Sequence, residues 1–459
     1  MLFSSLIFIC AFLPLLLFTY YTAPRSWHNN ILLAASLLFY AWGEIVLVWV
    51  LIASIIWNHF MALAVERAAT LFKRKLFLTV GVIVDLAALG YFKYTDFFIE
   101  NWNGLSGMEL PLKHIVLPIG ISFYTFQAIS YLVDVYRRDT PAEKNLLNTG
   151  LYITFFPQLI AGPIVKFHEI SSYISCRRET LDGFAAGMQR FIEGLAKKVL
   201  IANVMAETAD TVFSSNIAVL LPQEAWLGIF AYSMQIFFDF SGYSDMAIGL
   251  GKMFGFEIPE NFNYPYTATS VTQFWRKWHI SLSTWFKEYL YIPLGGSRTG
   301  KYNTLRNLAI VFFVTGFWHG AGWNFIFWGA WHGAFILIER IFKLDKKSIP
   351  VLGNIYLLMV AFIGWVFFRA ETFSSALLYI RRMFTFSQWG SGEMMPVSSL
   401  FAVISVFAVF YSTTLPRMIY NKFNENCLFV WRGICCILLL LVLLRLAGAS
   451  YNPFIYFRF

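Results

Sequence analysis

The sequence predicts an all-α polytopic membrane protein, and three observations carry that expectation. Of 459 residues, 58% are hydrophobic and only 13% charged, where soluble domains carry roughly a quarter charged residues. Mean hydropathy is +0.61. Apolar runs approaching the roughly 20 residues needed to cross a bilayer recur along the whole chain. No long polar stretch is available as a separate soluble domain, so one integral membrane domain over 1–459 is expected.

The apolar runs follow in order. Residues 2–21 lack a basic leader and a small-residue cleavage site, and read as a retained span. Next come 30–43, 45–65, 76–94 and 115–135. Arg67, Lys73, Arg74 and Lys75 separate two of these, and Arg137, Arg138 and Lys144 follow the last. Lys and Arg concentrate in cytoplasmic loops, which places the N-terminus outside. Residues 148–165, 188–206 and 225–250 continue the series. The runs 306–318 and 324–342 are split by Gly320, Ala321 and Gly322. A helix break at membrane depth is tolerated where protein or water satisfies the backbone. A re-entrant or broken helix is therefore expected there, with His319 carried to mid-membrane. Residues 352–370, 398–415 and 428–448 complete the set. Arg417, Lys422 and Arg432 flank the start of the final run, so the C-terminus is expected outside. The sum is about 11 transmembrane helices with re-entrant and interfacial ones besides. No 20–50-residue period repeats, in contrast to the paired halves of many transporters.

The net charge of +9 reads as loop charge rather than a nucleic-acid footprint. Aromatics make up 19% of the chain, more than an interfacial belt requires, and suggest bulky walls around a tunnel or irregular helices. The five cysteines show no zinc spacing, and no metal site is expected.

Chemistry concentrates in two stretches. Residues 316–333 place His319 and His332 in an apolar, Trp-rich segment. An imidazole there is costly unless it faces a partner or a wet cavity, and histidine suits general-base work near neutral pH. His319 is the first candidate; His332 and His279 read first as structural. Residues 271–290 mix Trp and Phe with Arg276, Lys277 and His279, like an amphipathic helix at a membrane surface or cavity mouth. Arg276 and Lys277 suit lipid headgroups or the phosphates of a nucleotide-bearing donor. Asp239 and Asp245 share one apolar run, six residues apart, and do not share a helix face. They read as members of packing networks, with an ion pathway as the alternative. Lys197 and Lys198 read as an interfacial snorkelling pair. The aromatic segment 454–459 holds Tyr456, and tucking back into the protein would present its hydroxyl.

Together, 155–163, 234–250, 273–298 and 316–333 resemble the membrane-bound O-acyltransferase family. They are most similar to its bacterial branch of alginate, peptidoglycan and teichoic-acid acyl transfer proteins. The segment 454–459 is similar to the branch's aromatic C-terminal motif. The resemblance implies a ring of tilted helices around a central tunnel in the bacterial cytoplasmic (inner) membrane. The family's invariant histidine falls on His319 and its second on His279. The donor would be acetyl-CoA at the cytoplasmic face, a substrate rather than a tightly bound cofactor, with Trp275, Trp318, Arg276 and Lys277 around it. An SGNH-type O-acetyltransferase partner outside would complete transfer to a polysaccharide.

Tyr456 is a sensible acyl acceptor, because a phenol ionises near pH about 10, well below an alkyl alcohol. Phenolate is for the same reason a good leaving group, so an acetyl-tyrosine keeps transfer potential. Competing expectations are transfer of D-alanyl or another acyl group, a transporter or flippase, and a scaffold for an outside enzyme.

Overall fold

The computed structural model describes residues 1–298, 300–344, 349–422, 428–448 and 451–455. No strand occurs among them. The helices group into two compact units, one of Met1–Phe191 with Ser244–Pro259, the other of Ile192–Tyr243 with Glu260–Phe459.

In the first unit the chain runs through α1 (Leu13–Thr22), α2 (His28–Ala41), α3 (Val48–Arg67), α4 (Leu71–Ser106), α5 (Ile121–Arg137), α6 (Leu146–Thr154), α7 (Phe156–Leu159), α8 (Phe167–Ser175) and α9 (Leu181–Ala196), the last ending in the second unit. Local chemistry sets several ends. Thr70 caps α4 by accepting from the Lys73 N–H, and Gly107 closes it at φ 71°. Gly120 enters α5 at φ 76°, and a Cβ there would lie 2.6 Å from the Leu159 carbonyl oxygen. The span expected at 148–165 is instead broken at Phe155. Pro157 lacks an N–H, and its ring would strike the carbonyl four residues back. The break is repaired internally: the Phe156 N–H donates to Ser36 Oγ (3.1 Å) and Gln158 Nε2 to the Tyr152 carbonyl (2.8 Å).

The second unit takes the end of α9 through a π-turn, Lys197–Ala202, into α10 (Asn203–Ser214) and then α11 (Pro222–Met253), which returns to the first unit. After α12 (Val271–Lys277) and α13 (Ile280–Phe286) come α14 (Lys301–His319), α15 (Trp323–Phe342), α16 (Pro350–Arg369), α17 (Phe373–Met383), α18 (Ser399–Tyr411), α19 (Leu415–Lys422) and α20 (Leu428–Gly448). Among the described residues five helices are long and apolar enough to cross a membrane: Val48–Arg67, Leu71–Ser106, Trp323–Phe342, Pro350–Arg369 and Val430–Gly448. Their outward faces carry exposed aliphatics, Ile83 and Leu86 on α4 and Leu440 and Leu444 on α20. Lipid is the solvent such faces fit. The larger number expected from the sequence adds helices that are shorter or more polar than these five.

The expected break at Gly320–Gly322 is present as a tight turn between α14 and α15, with Gly320 and Gly322 both extended. The two helices touch through glycines. A Cβ on Gly329 would lie 2.3 Å from the Phe312 carbonyl oxygen, and one on Gly316 2.5 Å from that of Phe325. Small residues let helix backbones approach this closely in a membrane. Gly329→Val should therefore lower stability by about 1–3 kcal/mol through overpacking. Gly90→Ala on α4, where a Cβ meets nothing within 4 Å, should leave the melting temperature of the detergent-solubilised protein unchanged or slightly raised.

Candidate active site

His319 is the final residue of α14. It is 6% exposed, and its ring meets Trp328 edge-on at 4.8 Å, Phe368 at 5.3 Å and Trp318 at 4.8 Å. The turn beyond it is anchored by Asn324, whose Nδ2 donates to the carbonyls of Phe367 (3.3 Å) and Ala370 (2.9 Å) at the end of α16. His319 is thus an imidazole on a fixed helix end, walled by aromatic rings. That geometry suits proton transfer from a group delivered to it.

His279 sits one element away in the chain, and the structure explains why the helix expected over 271–290 is not continuous. The chain stops at Lys277, turns at Trp278 and His279, and restarts at Ile280; His279 has φ 45°, a left-handed conformation uncommon outside glycine. Asn261 holds the turn. Its Oδ1 accepts from the Ser281 N–H (3.1 Å) and Ser281 Oγ (2.9 Å) and lies 3.2 Å from His279 Nδ1, while its carbonyl accepts the Ile280 N–H (3.0 Å). The stretch is buried rather than spread on a surface: Phe274, Trp275, Trp278 and His279 are all buried. Complete burial pushes the His279 imidazole, outside the crossing helices, down to about 3. It is a neutral hydrogen-bonding ring at physiological pH. Glu339 of α15 fixes the other end of α12, its two carboxylate oxygens accepting from the N–H groups of Val271 (2.6 Å) and Thr272 (2.8 Å).

The two histidines share a neighbour. The Trp318 ring lies 4.8 Å from His319 and 6.4 Å from His279. Trp275 is in the aromatic core, against Phe312, Trp328 and His332. Arg276 is exposed, whereas Lys277 is half-buried, donates to Thr267 Oγ1 (3.1 Å) and is lowered below the usual lysine range by that burial. His332 packs among Trp275, Trp328 and Trp365, with neither ring nitrogen hydrogen-bonded among the described residues. Tyr456 lies outside the described residues.

The acids of α11 part company. Asp245 takes Arg190 in the first unit, at 2.9 and 2.7 Å from one oxygen. Asp239 pairs in the second unit with Lys198 at 2.9 Å, the two side chains 1% and 3% exposed. Lys198 is therefore not a snorkelling residue. Asp239 Oδ2 also accepts the Ile455 N–H (2.9 Å), and Lys198 Nζ donates to the Pro453 carbonyl. Phe454 and Ile455 are buried, and Phe454 stacks on Tyr243 at 4.9 Å.

Comparison with known proteins fits this arrangement. Residues 141–368 match the profile of MBOAT, the membrane-bound O-acyltransferase family. The chain is 40% identical to a probable alginate O-acetylase of Azotobacter vinelandii, over 100% of both chains, and 41% identical to one of Pseudomonas putida over the same share. It is 38% identical to a peptidoglycan O-acetyltransferase of Helicobacter pylori, over 83% of this chain and 80% of that one.

The chain belongs to the membrane-bound O-acyltransferase family.

As a member it is an integral membrane protein and an acyltransferase. Among the described residues of this acyltransferase no three His, Cys, Asp or Glu side chains gather in a way that would hold a metal ion. Two residues around its site escape sequence reading, Asn261 and Glu339. Glu339 carries a signal, an acid in an apolar span. Asn261 carries none, because an asparagine that caps a distant turn looks like any loop asparagine. Asn261→Ala removes the acceptor shared by His279 and Ser281, and leaves buried donors unmet at a cost of about 1–3 kcal/mol. The acyltransferase should lose thermal stability by that amount and transfer activity more steeply, since His279 loses its fixed orientation. Activity unchanged in the variant would detach His279 from the reaction.

Proposed function

We propose that this protein moves an acetyl group from cytoplasmic acetyl-CoA across the membrane for O-acetylation of an extracytoplasmic polysaccharide. The observation that carries the reading is His319, buried at a helix end among aromatic walls, in a chain alike over its whole length to named alginate O-acetylases. An exopolysaccharide of the alginate kind is the acceptor these relatives favour, with peptidoglycan next. A teichoic acid D-alanyltransferase of Bacillus subtilis is similar at 28% identity over 55% of this chain, so D-alanyl transfer is the weaker second reading.

In this reading His319 acts as general base. It takes the phenolic proton of Tyr456 as the phenol oxygen attacks the thioester carbonyl. The C–S bond breaks, the coenzyme A thiolate leaves and is protonated, and acetyl-Tyr456 remains. Outside, an SGNH-type partner passes the acetyl group to a sugar hydroxyl, with the tyrosine phenolate as leaving group. Neutral His279 orients the site rather than supplying a charge. Trp318, which meets both rings, and Trp275, packed on Trp328, exclude water, which would hydrolyse the thioester. Arg276, exposed, meets the donor's phosphates; Lys277 contributes less, being engaged with Thr267.

The test uses purified protein with labelled acetyl-CoA, intact mass and peptide mapping. Wild type should gain one acetyl group on Tyr456, and both His319→Ala and Tyr456→Phe should lose it, with acetyl transfer falling at least about 100-fold, the scale of general-base loss. An active Tyr456→Phe protein would rule out the acyl-tyrosine and leave His319 acting directly on another acceptor.

A further inference from the structure

Lys198 and Asp239 are opposite charges buried where α9 and its π-turn cross α11. The crossing is close: a Cβ on Gly242 would lie 2.7 Å from the Gly194 carbonyl oxygen and 3.2 Å from the Lys198 nitrogen. A buried ion pair offers little stability over apolar side chains of similar volume, so helix packing alone does not account for it. Its remaining hydrogen-bonding capacity is directed at the backbone of one short segment. Lysine supplies only donors and aspartate only acceptors. Lys198 takes the carbonyl of Pro453 and Asp239 takes the N–H of Ile455. Asn203, which closes the π-turn by reaching back to the Lys198 carbonyl, donates through Nδ2 to Asn452 Oδ1 at 3.2 Å. Between the two charged anchors Phe454 stacks on Tyr243. A slip of one residue would take Phe454 off that ring and shift Pro453 and Ile455 off their anchors. The polar anchors and the aromatic slot together specify one register.

We propose that the Lys198–Asp239 pair, presented by the π-turn, is a latch that positions the segment ending in Tyr456 for acylation. Its catalytic consequence rests on the acetyl-tyrosine reading above; the latch itself does not. The residue after Ile455 is the acceptor, and acyl transfer needs reacting atoms held within about 3–3.5 Å. The anchors on Pro453 and Ile455 hold the backbone up to the residue before the acceptor. Lys198 and Asp239 are thus positioning residues, acting through the backbone of 453–455.

The test uses the full chain carrying Lys198→Met with Asp239→Leu, which removes both anchors without leaving a lone buried charge, and Lys198→Met with Asp239→Asn, which also leaves no lone charge but keeps an acceptor oxygen for Ile455. Hydrogen exchange by mass spectrometry follows the C-terminal peptide, with peptides of α9–α11 and of the α14–α15 hairpin as controls. The same proteins are assayed for acetyl-Tyr456 formation. The variant Lys198→Met with Asp239→Leu is expected to exchange at least tenfold faster in the C-terminal peptide only. Its kcat for acetyl-Tyr456 formation is expected to fall at least tenfold with the KM for acetyl-CoA unchanged. The variant Lys198→Met with Asp239→Asn should fall between it and wild type. A C-terminal peptide as protected as in wild type would overturn the latch. So would a rise spread equally over α9–α11, which would make the pair merely structural, or undiminished acetylation by a released segment. Should wild type carry no acetyl group on Tyr456, the functional reading fails. The exchange data then decide the latch alone, local release supporting it and retained protection refuting it.

Discussion

In hydrocarbon there is no water to satisfy a backbone N–H or C=O left over where a helix stops, and each one left unmet costs several kcal/mol. This chain stops its helices often, and side chains reach across the sequence to complete each break. In the second unit asparagines do most of it. Asn261 serves the turn at His279, Asn324 the end of α16, and Asn307 Nδ2 the carbonyls of Leu294 and Gly296 at 3.1 and 3.0 Å. Asn354 Nδ2 serves those of Tyr266 and Ala268 at 2.7 and 2.9 Å. In the first unit the Tyr152 hydroxyl lies 3.1 Å from the carbonyls of Gln127 and Val165 and shares its one proton between them. The candidate site exists because these breaks are affordable: both His279 and His319 stand at helix interruptions rather than in helix interiors.

Much of this was legible in the sequence, for definite reasons. The helix runs appear because apolar length is a direct requirement of the bilayer, and the observed helices overlap every run read from composition. His319 stood out because histidine between tryptophans is an expensive placement. The break beside it was marked by Gly320 and Gly322. What could not be read was partnership over long range. Lys198 next to Lys197 looks like a pair reaching for water, and only the approach of α11 and of residues 453–455 makes it a buried cation. The stretch 271–290 has the composition of a surface helix. Its burial follows from Asn261 and Glu339, ten and more residues away in sequence.

Charge burial separates two roles on α11. Asp245 meets a guanidinium that is partly exposed, an arrangement that costs little and fastens helices. Asp239 is enclosed with its ammonium partner, and loss of one member of such a pair costs about 3–5 kcal/mol. The six-residue spacing sends the two carboxylates to different neighbours, so one helix carries a fastener in one unit and a backbone receptor in the other. Phe240 and Tyr243, on the same stretch, meet the His279 ring at 4.6 Å and Phe454 at 4.9 Å. A single two-turn segment of α11 therefore touches both the candidate histidine pocket and the segment leading to Tyr456.

The π-turn at Lys197–Ala202 has an evolutionary consequence. A helix turn closed five residues back, as Asn203 closes on Lys198, accommodates one residue more than the α-turn it replaces. Losing that residue would restore a regular helix, leave its flanks nearly in place and remove the widened turn that presents Lys198. Such a feature is gained or lost by a one-codon insertion or deletion, not by gradual substitution. Among relatives, the gap pattern at this helix is then a sharper record of how the crossing was built than the amino acids that flank it.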